Sequence, residues 1–489
     1  MKPGLKNLRD FIALLEKEGE LIRIKALVDA ELEITEITDR VSKMPGGGKA
    51  LLFENVKGSK MPVLINAMGS YKRMALAMGA EHWRIDEAAA EITEFLELKG
   101  VPKTFSGKMN LLGKMIDLSK IPPRVVSAGP CQEIVLKGND VRLSEIPVLK
   151  CWPHDGGRFI TFPMVITKDP ETGNRNVGMY RMHVYDEQNC GMHWQTQKDG
   201  AVHFEKKKRG GGKIEVAVAI GSDPATTFSA VVPLPYGLDE FLFAGFLRKA
   251  PVELVKCKTV DLEVPAESEI VLEGYVDTEV SRPEGPFGDH TGVYTPIEPF
   301  PVFHVQCITM RKNPIYFTTI VGKPPMEDYY MGKAIEKTFL PILKKQLPEL
   351  VDMNFPMEGT FNNAVIVSIE KNYPHQAKKV AHAIWGLGQL SFTKVVIVVD
   401  KSVDVHDLSA VALAVFNNID PKRDLFFVEG PVDTLNHASP QRDYGSKLGI
   451  DATAKTKEEG YQRVWPEEIQ MDETTKKKVD VLWTDLGIS

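Results

Sequence analysis

The chain has 489 residues, more than one hydrophobic core ordinarily serves, so about two to four domains are expected. Hydrophobic residues at 43% and charged residues at 26% are those of a globular chain and exclude a disordered or fibrous one. A formal net charge of −6 leaves no overall basic field for a polyanion, which argues against nucleic acid as a partner.

Cys131, Cys151, Cys190, Cys257 and Cys307 are odd in number and scattered, with no C-x-x-C pair, so neither a disulfide framework nor a zinc knuckle is indicated. A cytoplasmic location fits. No stretch approaches the ~18 apolar residues of a membrane span, so any membrane contact, as at the inner membrane, would be peripheral.

Leu5, Leu8, Phe11, Ile12 and Leu15 recur at helical spacing, residues 20–24 alternate like a strand, and Leu32, Ile34, Ile37 and Val41 form a second helical stripe. A further helix is expected over 81–98, stopped by Gly100. Residues 1–121 therefore read as a mixed α/β domain that ends near Ile121-Pro122-Pro123. Residues 122–325 change to short β-like runs at 159–167, 177–185, 214–220, 252–257, 270–276, 302–310 and 315–321, the texture of a barrel or sandwich. One helix interrupts them, with Leu238, Phe241, Leu242, Phe246 and Leu247 on its apolar stripe. The basic run Lys206-Lys207-Lys208-Arg209 reads as a solvated loop. From 326 to 489, helices near 328–346, 376–387 and 407–417 alternate with strands at 364–369, 394–399 and 425–429, which predicts an α/β layer with parallel strands. No Gly-x-Gly-x-x-Gly follows those strands, so a dinucleotide fingerprint is missing. The amphipathic end, with Val479, Val481, Leu482 and Leu486, suits packing on its own chain or a neighbouring one.

The segment Arg282-Pro283-Glu284-Gly285-Pro286-Phe287-Gly288-Asp289-His290-Thr291-Gly292 is rich in proline and glycine, so an irregular loop is expected to present its acids. Glu284 and Asp289 could share one cavity, where neighbouring carboxylates separate their pKa values, or decorate an acidic surface turn. Arg181 enters an apolar strand and needs a carboxylate or phosphate partner; an ordinary ion pair would also satisfy it. Asn176 and Arg181 are an odd number of positions apart, so a regular strand would aim them at opposite faces, and a bulge or a strand end is required for one site. His193, beside Trp194, fits a structural histidine as well as a ligand, and Glu240 fits charge compensation at a helix start. Together Asn176, His193 and Glu240 would make an oxygen and nitrogen set suited to Mn²⁺ or Mg²⁺, particularly beside a phosphate.

Several segments in one order are more specific. These are Leu8-Arg9-Asp10-Phe11, Leu51-Leu52-Phe53-Glu54-Asn55, Cys151-Trp152-Pro153, Asn176-Val177-Gly178-Met179-Tyr180-Arg181, Ala244-Gly245-Phe246-Leu247-Arg248, the 282–292 segment and Gly449-Ile450-Asp451-Ala452-Thr453. Through them the chain resembles, nearly end to end, the UbiD family of prenylated-FMN-dependent decarboxylases, most nearly its 4-hydroxy-3-polyprenylbenzoate decarboxylase branch. The resemblance implies an α+β multidomain fold: an N-terminal α/β domain, a central split β-barrel of the flavin reductase-like kind that binds the cofactor, and a C-terminal α/β domain. It implies a homodimer or homohexamer with the C-terminal segment on a partner, and a flavin prenyltransferase as cofactor supplier. It implies prenylated FMN whose phosphate is bridged by Mn²⁺, with K⁺ nearby.

Carried over by position, Arg181, Glu284 and Asp289 fall on the family's catalytic network and Asn176, His193 and Glu240 on its metal ligands. Met179, Tyr180, Arg181, His193, Trp194 and Gln195 fall on flavin-contacting segments, and Lys394 on a phosphate contact. The branch often has arginine where His193 stands, which loosens the substrate assignment. The implied reaction is reversible, non-oxidative decarboxylation through a covalent flavin adduct, of 3-polyprenyl-4-hydroxybenzoate in ubiquinone biosynthesis. Asp289 would carry the proton, a job requiring a raised pKa. Rival readings are a decarboxylase or carboxylase of another aromatic acid, such as a hydroxybenzoate or menaquinone precursor, and a flavin-binding reductase-like protein. No role for His290 follows from the motif.

Overall fold

The computed structural model describes residues 4–79 and 121–486, apart from 197, 235, 362, 468 and 484. The helix expected over 81–98 lies outside these residues. The first helix, Leu8–Lys17, starts where the Asn7 side chain accepts the Asp10 N–H, and it buries the expected stripe of Leu8, Phe11, Ile12 and Leu15. Strand Leu21–Val28 runs parallel to Ala50–Val56, which pairs with Val63–Ile65. The fourth strand of this sheet is Tyr316–Phe317, parallel to Val63–Ile65. The apolar run at 315–321 thus completes the N-terminal sheet and not the central one, a pairing that local pattern cannot specify.

The central sheet has nine strands. Its path runs Arg158–Ile160, Met182–Val184, Asn189–Met192, Glu298–Met310, Ile270–Glu284, Lys213–Ile220, Met164–Lys168 and Arg175–Met179, with Ile134–Lys137 added on Glu298–Met310. Arg175–Met179 ends this path and Met182–Val184 is next to last at the opposite side, yet they are consecutive in sequence, joined only by Tyr180 and Arg181. Three Cα steps span at most about 11 Å. The sheet must therefore curl until its ends nearly meet, giving a half-barrel with Arg181 at the seam. The two long runs expected at 159–167 and 177–185 are each broken in two, because each passes through a corner of the curl.

Helix Asp199–Gly210 packs beside this sheet and carries Lys207, Lys208 and Arg209 in its last turn, ending on Gly211 at φ 73°. The basic run is a helix end and not a loop; cations there offset the carbonyl end of the dipole. The interrupting helix is Glu240–Arg248, with Asp239 as its N-cap.

The C-terminal sheet has five strands in the order Leu350–Asn354, Ala364–Ile369, Val395–Asp400, Tyr444–Asp451, Leu425–Pro431. Only the middle three are parallel. Leu425–Pro431 is an antiparallel edge strand, because Tyr444–Asp451 inserts between it and Val395–Asp400. Ala377, Val380, Ala381 and Ile384 of helix Gln376–Trp385 join Val365, Val367 and Val396 in one core. Among the described residues no helix is long and apolar enough to cross a membrane.

Candidate active site

Strand Ile270–Glu284 pairs with Lys213–Ile220 only as far as Asp277, so residues 281–284 form a free edge on that side, hydrogen-bonded to Glu298–Pro301. Pro283 lacks an N–H and is tolerated there. Arg282, Pro283 and Glu284 therefore extend a strand, where an irregular loop was expected. Beyond Gly285, whose φ of 95° suits glycine, Phe287–Gly288 pairs with Tyr294–Thr295. Asp289 sits in this hairpin's turn and its carbonyl accepts the Gly292 N–H.

The break at Tyr180 and Arg181 removes the parity conflict noted from the spacing, since Asn176 lies in a strand and Arg181 in the connection that follows it. Arg181 donates from Nε to Glu284 Oε1 at 2.9 Å and from Nη2 to Glu284 Oε2 at 3.2 Å. Its Nη1 donates to Asp289 Oδ2 at 2.5 Å, and Nη2 also reaches Thr295 Oγ1 at 3.2 Å. The guanidinium lies over the Phe287 ring at 4.6 Å. Side-chain exposure is 10% for Arg181, 0% for Glu284 and 6% for Asp289, so these are buried charges and not a surface turn. Arg181 is fixed in plane and charge by two acids.

His193 follows strand Asn189–Met192, and its Nδ1 lies 3.2 Å from Glu284 Oε2. Burial and the Arg181 charge push the imidazole below its ordinary value, so it is neutral and donates from Nδ1. Burial pushes the Glu284 carboxyl up, but the His193 hydrogen bond and Arg181 outweigh it and hold it at about 2. Burial also raises Asp289, yet the charges of His290 and Arg181 prevail and leave it below its ordinary value. The raised pKa expected for a proton carrier is thus not what these neighbours impose.

Asn176 and Glu240 are brought together by the Val177 N–H, which donates to Glu240 Oε2 at 3.0 Å. No hydrogen bond or ion pair joins His193 to either. Among the described residues no three His, Cys, Asp or Glu side chains are grouped to hold a metal, and the expected set has only two such residues beside its asparagine. The donors nevertheless suit a cation. Burial pushes Glu240 up to about 8, and it forms no ion pair among the described residues. The Asn176 amide nitrogen is buried without a hydrogen-bond partner. His193 bonds a carboxylate through Nδ1, the outer partner that metal-binding imidazoles commonly have. Mn²⁺ added with FMN is expected to raise the melting temperature, more at pH 8 than at pH 6 because Glu240 must lose a proton to bind. Glu240→Gln should remove that increment; an equal shift in the variant would show that the ion binds elsewhere.

Met179 ends its strand, and Tyr180 turns back over Gly178, where an added Cβ would lie 2.4 Å from the phenol oxygen. That oxygen accepts the Gly200 N–H at 3.1 Å, at the start of helix Asp199–Gly210. Trp194 packs on the same Gly200, and its indole N–H has no partner among the described residues. Gln195 follows, half-buried. Lys394 donates to Asn436 Oδ1 at 3.0 Å, and burial lowers its pKa. Sequence reasoning missed Lys198, half-buried and also lowered by burial, which meets Gln389 Oε1 at 3.5 Å. Both lysines meet neutral amide oxygens in these bonds. It also missed Asp328, against which His290 Nδ1 rests. No spacing rule links Asp328, at the start of helix Glu327–Gln346, to His290.

Family models described as the N-terminal, Rift-related and C-terminal domains of 3-octaprenyl-4-hydroxybenzoate carboxy-lyase match residues 12–93, 124–324 and 329–452. An uncharacterized protein of Archaeoglobus fulgidus is 53% identical over 483 residues, 98% of each chain. Vanillic acid decarboxylase of Sedimentibacter hydroxybenzoicus in its closed form superimposes with a TM-score of 0.85 at 30% identity over 99% of each chain. The UbiD-class enzyme HmfF of Pelotomaculum thermopropionicum, solved with FMN, gives 0.79 at 30% identity over 96% of this chain and 98% of HmfF. An evolved dimeric form of HmfF, solved with prenylated FMN, gives 0.77 at 29% identity over the same shares. A mixed α+β chain with a curled central sheet, matched along its length in these ways, belongs to the UbiD family of carboxy-lyases.

Proposed function

We propose that the chain is a prenylated-FMN-dependent decarboxylase of an aromatic acid, with 3-polyprenyl-4-hydroxybenzoate in ubiquinone biosynthesis as its leading substrate. The observation that carries this reading is the buried Arg181, held by Glu284 and bonded to Asp289 at the seam of the curled sheet. The flavin would supply the electron sink for the charge left when CO₂ departs, which no side chain provides. The Trp194 N–H, unpartnered among the described residues, and the cationic Lys198 and Lys394 suit an aromatic cofactor with a phosphate. Asn176, His193 and Glu240 would hold Mn²⁺, with K⁺ as a further ion.

Arg181 directs fixed positive charge into the site, and Glu284, ionised at any working pH, keeps its fork in place. Asp289 moves the proton: its Oδ2 faces Arg181, and it must be reprotonated for each turnover. The long exposed C-terminal helix Glu473–Trp483, which buries none of its residues, suits a homo-oligomer contact.

A second reading, a hydroxybenzoate such as vanillate as substrate, is favoured by the likeness to vanillic acid decarboxylase. One experiment serves both: the protein is produced with a flavin prenyltransferase, handled anaerobically, and CO₂ release is followed over polyprenylated hydroxybenzoates, vanillate and other aromatic acids. Release with a prenylated acid supports the first reading and release with vanillate alone the second. Neither modified-flavin absorbance nor CO₂ from any acid would refute both.

A further inference from the structure

Resting on that reading and deepening it, we propose that His290 and Asp328 form a proton relay that resupplies Asp289 from solvent. Asp289 is a two-sided carboxylate. Its Oδ2 takes Arg181 Nη1, whereas Oδ1 accepts the His290 backbone N–H at 2.8 Å and lies 3.6 Å from His290 Nε2. The opposite ring nitrogen, Nδ1, meets the Asp328 carboxylate at the start of helix Glu327–Gln346. The imidazole stands edge-on to Phe361, its centroid 5.3 Å away, which fixes the ring between the two acids.

Both outer residues are more accessible than the acid they serve, His290 most of all. Side-chain exposure is 6% for Asp289 but 28% for His290 and 13% for Asp328. Both outer residues line a cavity shared with Gly322, Pro324, Tyr329 and Lys333, with about 20 Å³ of room, enough for one water. Water therefore reaches the outer end of the line while the acid itself stays dry.

The charged groups facing His290 are Asp289 from its own loop, Asp328 from the helix and, at longer range, Asp433, with Lys333 across the cavity. Burial disfavours the imidazolium, but Asp328 and Asp289 outweigh it and keep His290 protonated up to about 9. The Asp289 carboxyl lies below its ordinary value, so it holds a proton poorly by itself. The two transfers are therefore coupled. The Nε2–H bond of His290 breaks as an O–H bond forms on Asp289, and that O–H bond breaks in turn as the product C–H bond forms, so Asp289 is a carboxylate before and after. His290, left as the neutral ring with its Nδ1 proton on Asp328, regains the Nε2 proton from a hydronium ion of the solvent that reaches its partly exposed edge. One proton enters from solvent for each CO₂ that leaves, and no oxidant or reductant is needed.

A structural clamp joining loop and helix would look the same in a static picture, so the test separates bond cleavage from proton delivery. Exchange of ¹³C-bicarbonate into the substrate carboxyl needs C–C cleavage and re-formation but no proton, whereas net CO₂ release needs one. With holoenzyme and whichever of 3-prenyl-4-hydroxybenzoate and vanillate it turns over, His290→Gln should lower net release about 10- to 100-fold while exchange stays within about threefold. Asp328→Asn should move the alkaline fall of net release, expected near pH 9 in the wild type, to lower pH. Exchange and release falling in parallel in both variants, or release unchanged in His290→Gln, would overturn the relay. Wild-type holoenzyme that performs neither reaction would instead overturn the decarboxylase reading, and the relay with it.

Discussion

Arg181→Met is expected to reduce CO₂ release by about 10³-fold or more, since it removes the fixed charge that faces the reacting centre. It should also destabilise the fold by about 3–5 kcal/mol, because it strands buried carboxylates without their shared cation. Glu284 is fully buried and Asp289 nearly so, so solvent cannot take over the role of the guanidinium. The pH dependence gives a distinct signature. In the wild type Glu284 titrates near 2, below its ordinary 4.5, so its contribution is complete above 4.5 and lost only as pH falls through about 2. Without Arg181 both carboxyls rise, since one of the groups that hold each of them down is gone while His193 and His290 remain, and the stability gap between wild type and variant should narrow as pH falls from 8 to 5. Urea denaturation at the two pH values measures this. A variant as stable as the wild type, with the same pH response, would mean that the Arg181 pairs contribute nothing to the fold.

Asp289→Asn is expected to cut CO₂ release by about 10²- to 10⁴-fold, the range for removing a proton carrier from its transition state. The amide is nearly isosteric and its single oxygen can keep one of the two bonds, from Arg181 Nη1 or from the His290 N–H, so thermal stability should fall less than in Arg181→Met. Flavin binding, followed by absorbance, should be retained. This substitution also separates the enzyme classes: a flavin-binding reductase-like protein has no use for a proton at this position. Release within about threefold of wild type would remove Asp289 from the mechanism and favour that rival.

The amphipathic helices and the strands at 214–220 and 364–369 were readable because their periodicity is local. Tyr316–Phe317 and Tyr444–Asp451 were not, since their place depends on partners hundreds or tens of residues away. The same division runs through the site. Arg181, Glu284 and Asp289 were found through the motif segments that carry them, and their meeting depends on a curl that no spacing rule encodes. Glu284 as a strand end, the lowered Asp289 and the Asp328 partner of His290 are products of that meeting. A raised Asp289 was expected from its job alone, and its actual neighbours, two cationic side chains, decide otherwise.

The two-residue crossing at Tyr180 and Arg181 also governs when during folding the site can exist. Around it, Ile166 pairs with Ala217, Cys190 with Phe303 and Thr309 with Val135, so its ladders close long loops. Such topologies fold slowly, because loop entropy is lost before the contacts form. Arg181 meets Glu284 only after both sheet ends have come round, more than 100 residues downstream in synthesis. The site therefore cannot assemble until both sheet ends have come round, and a nascent chain that ends before Glu284 carries the arginine without its acids.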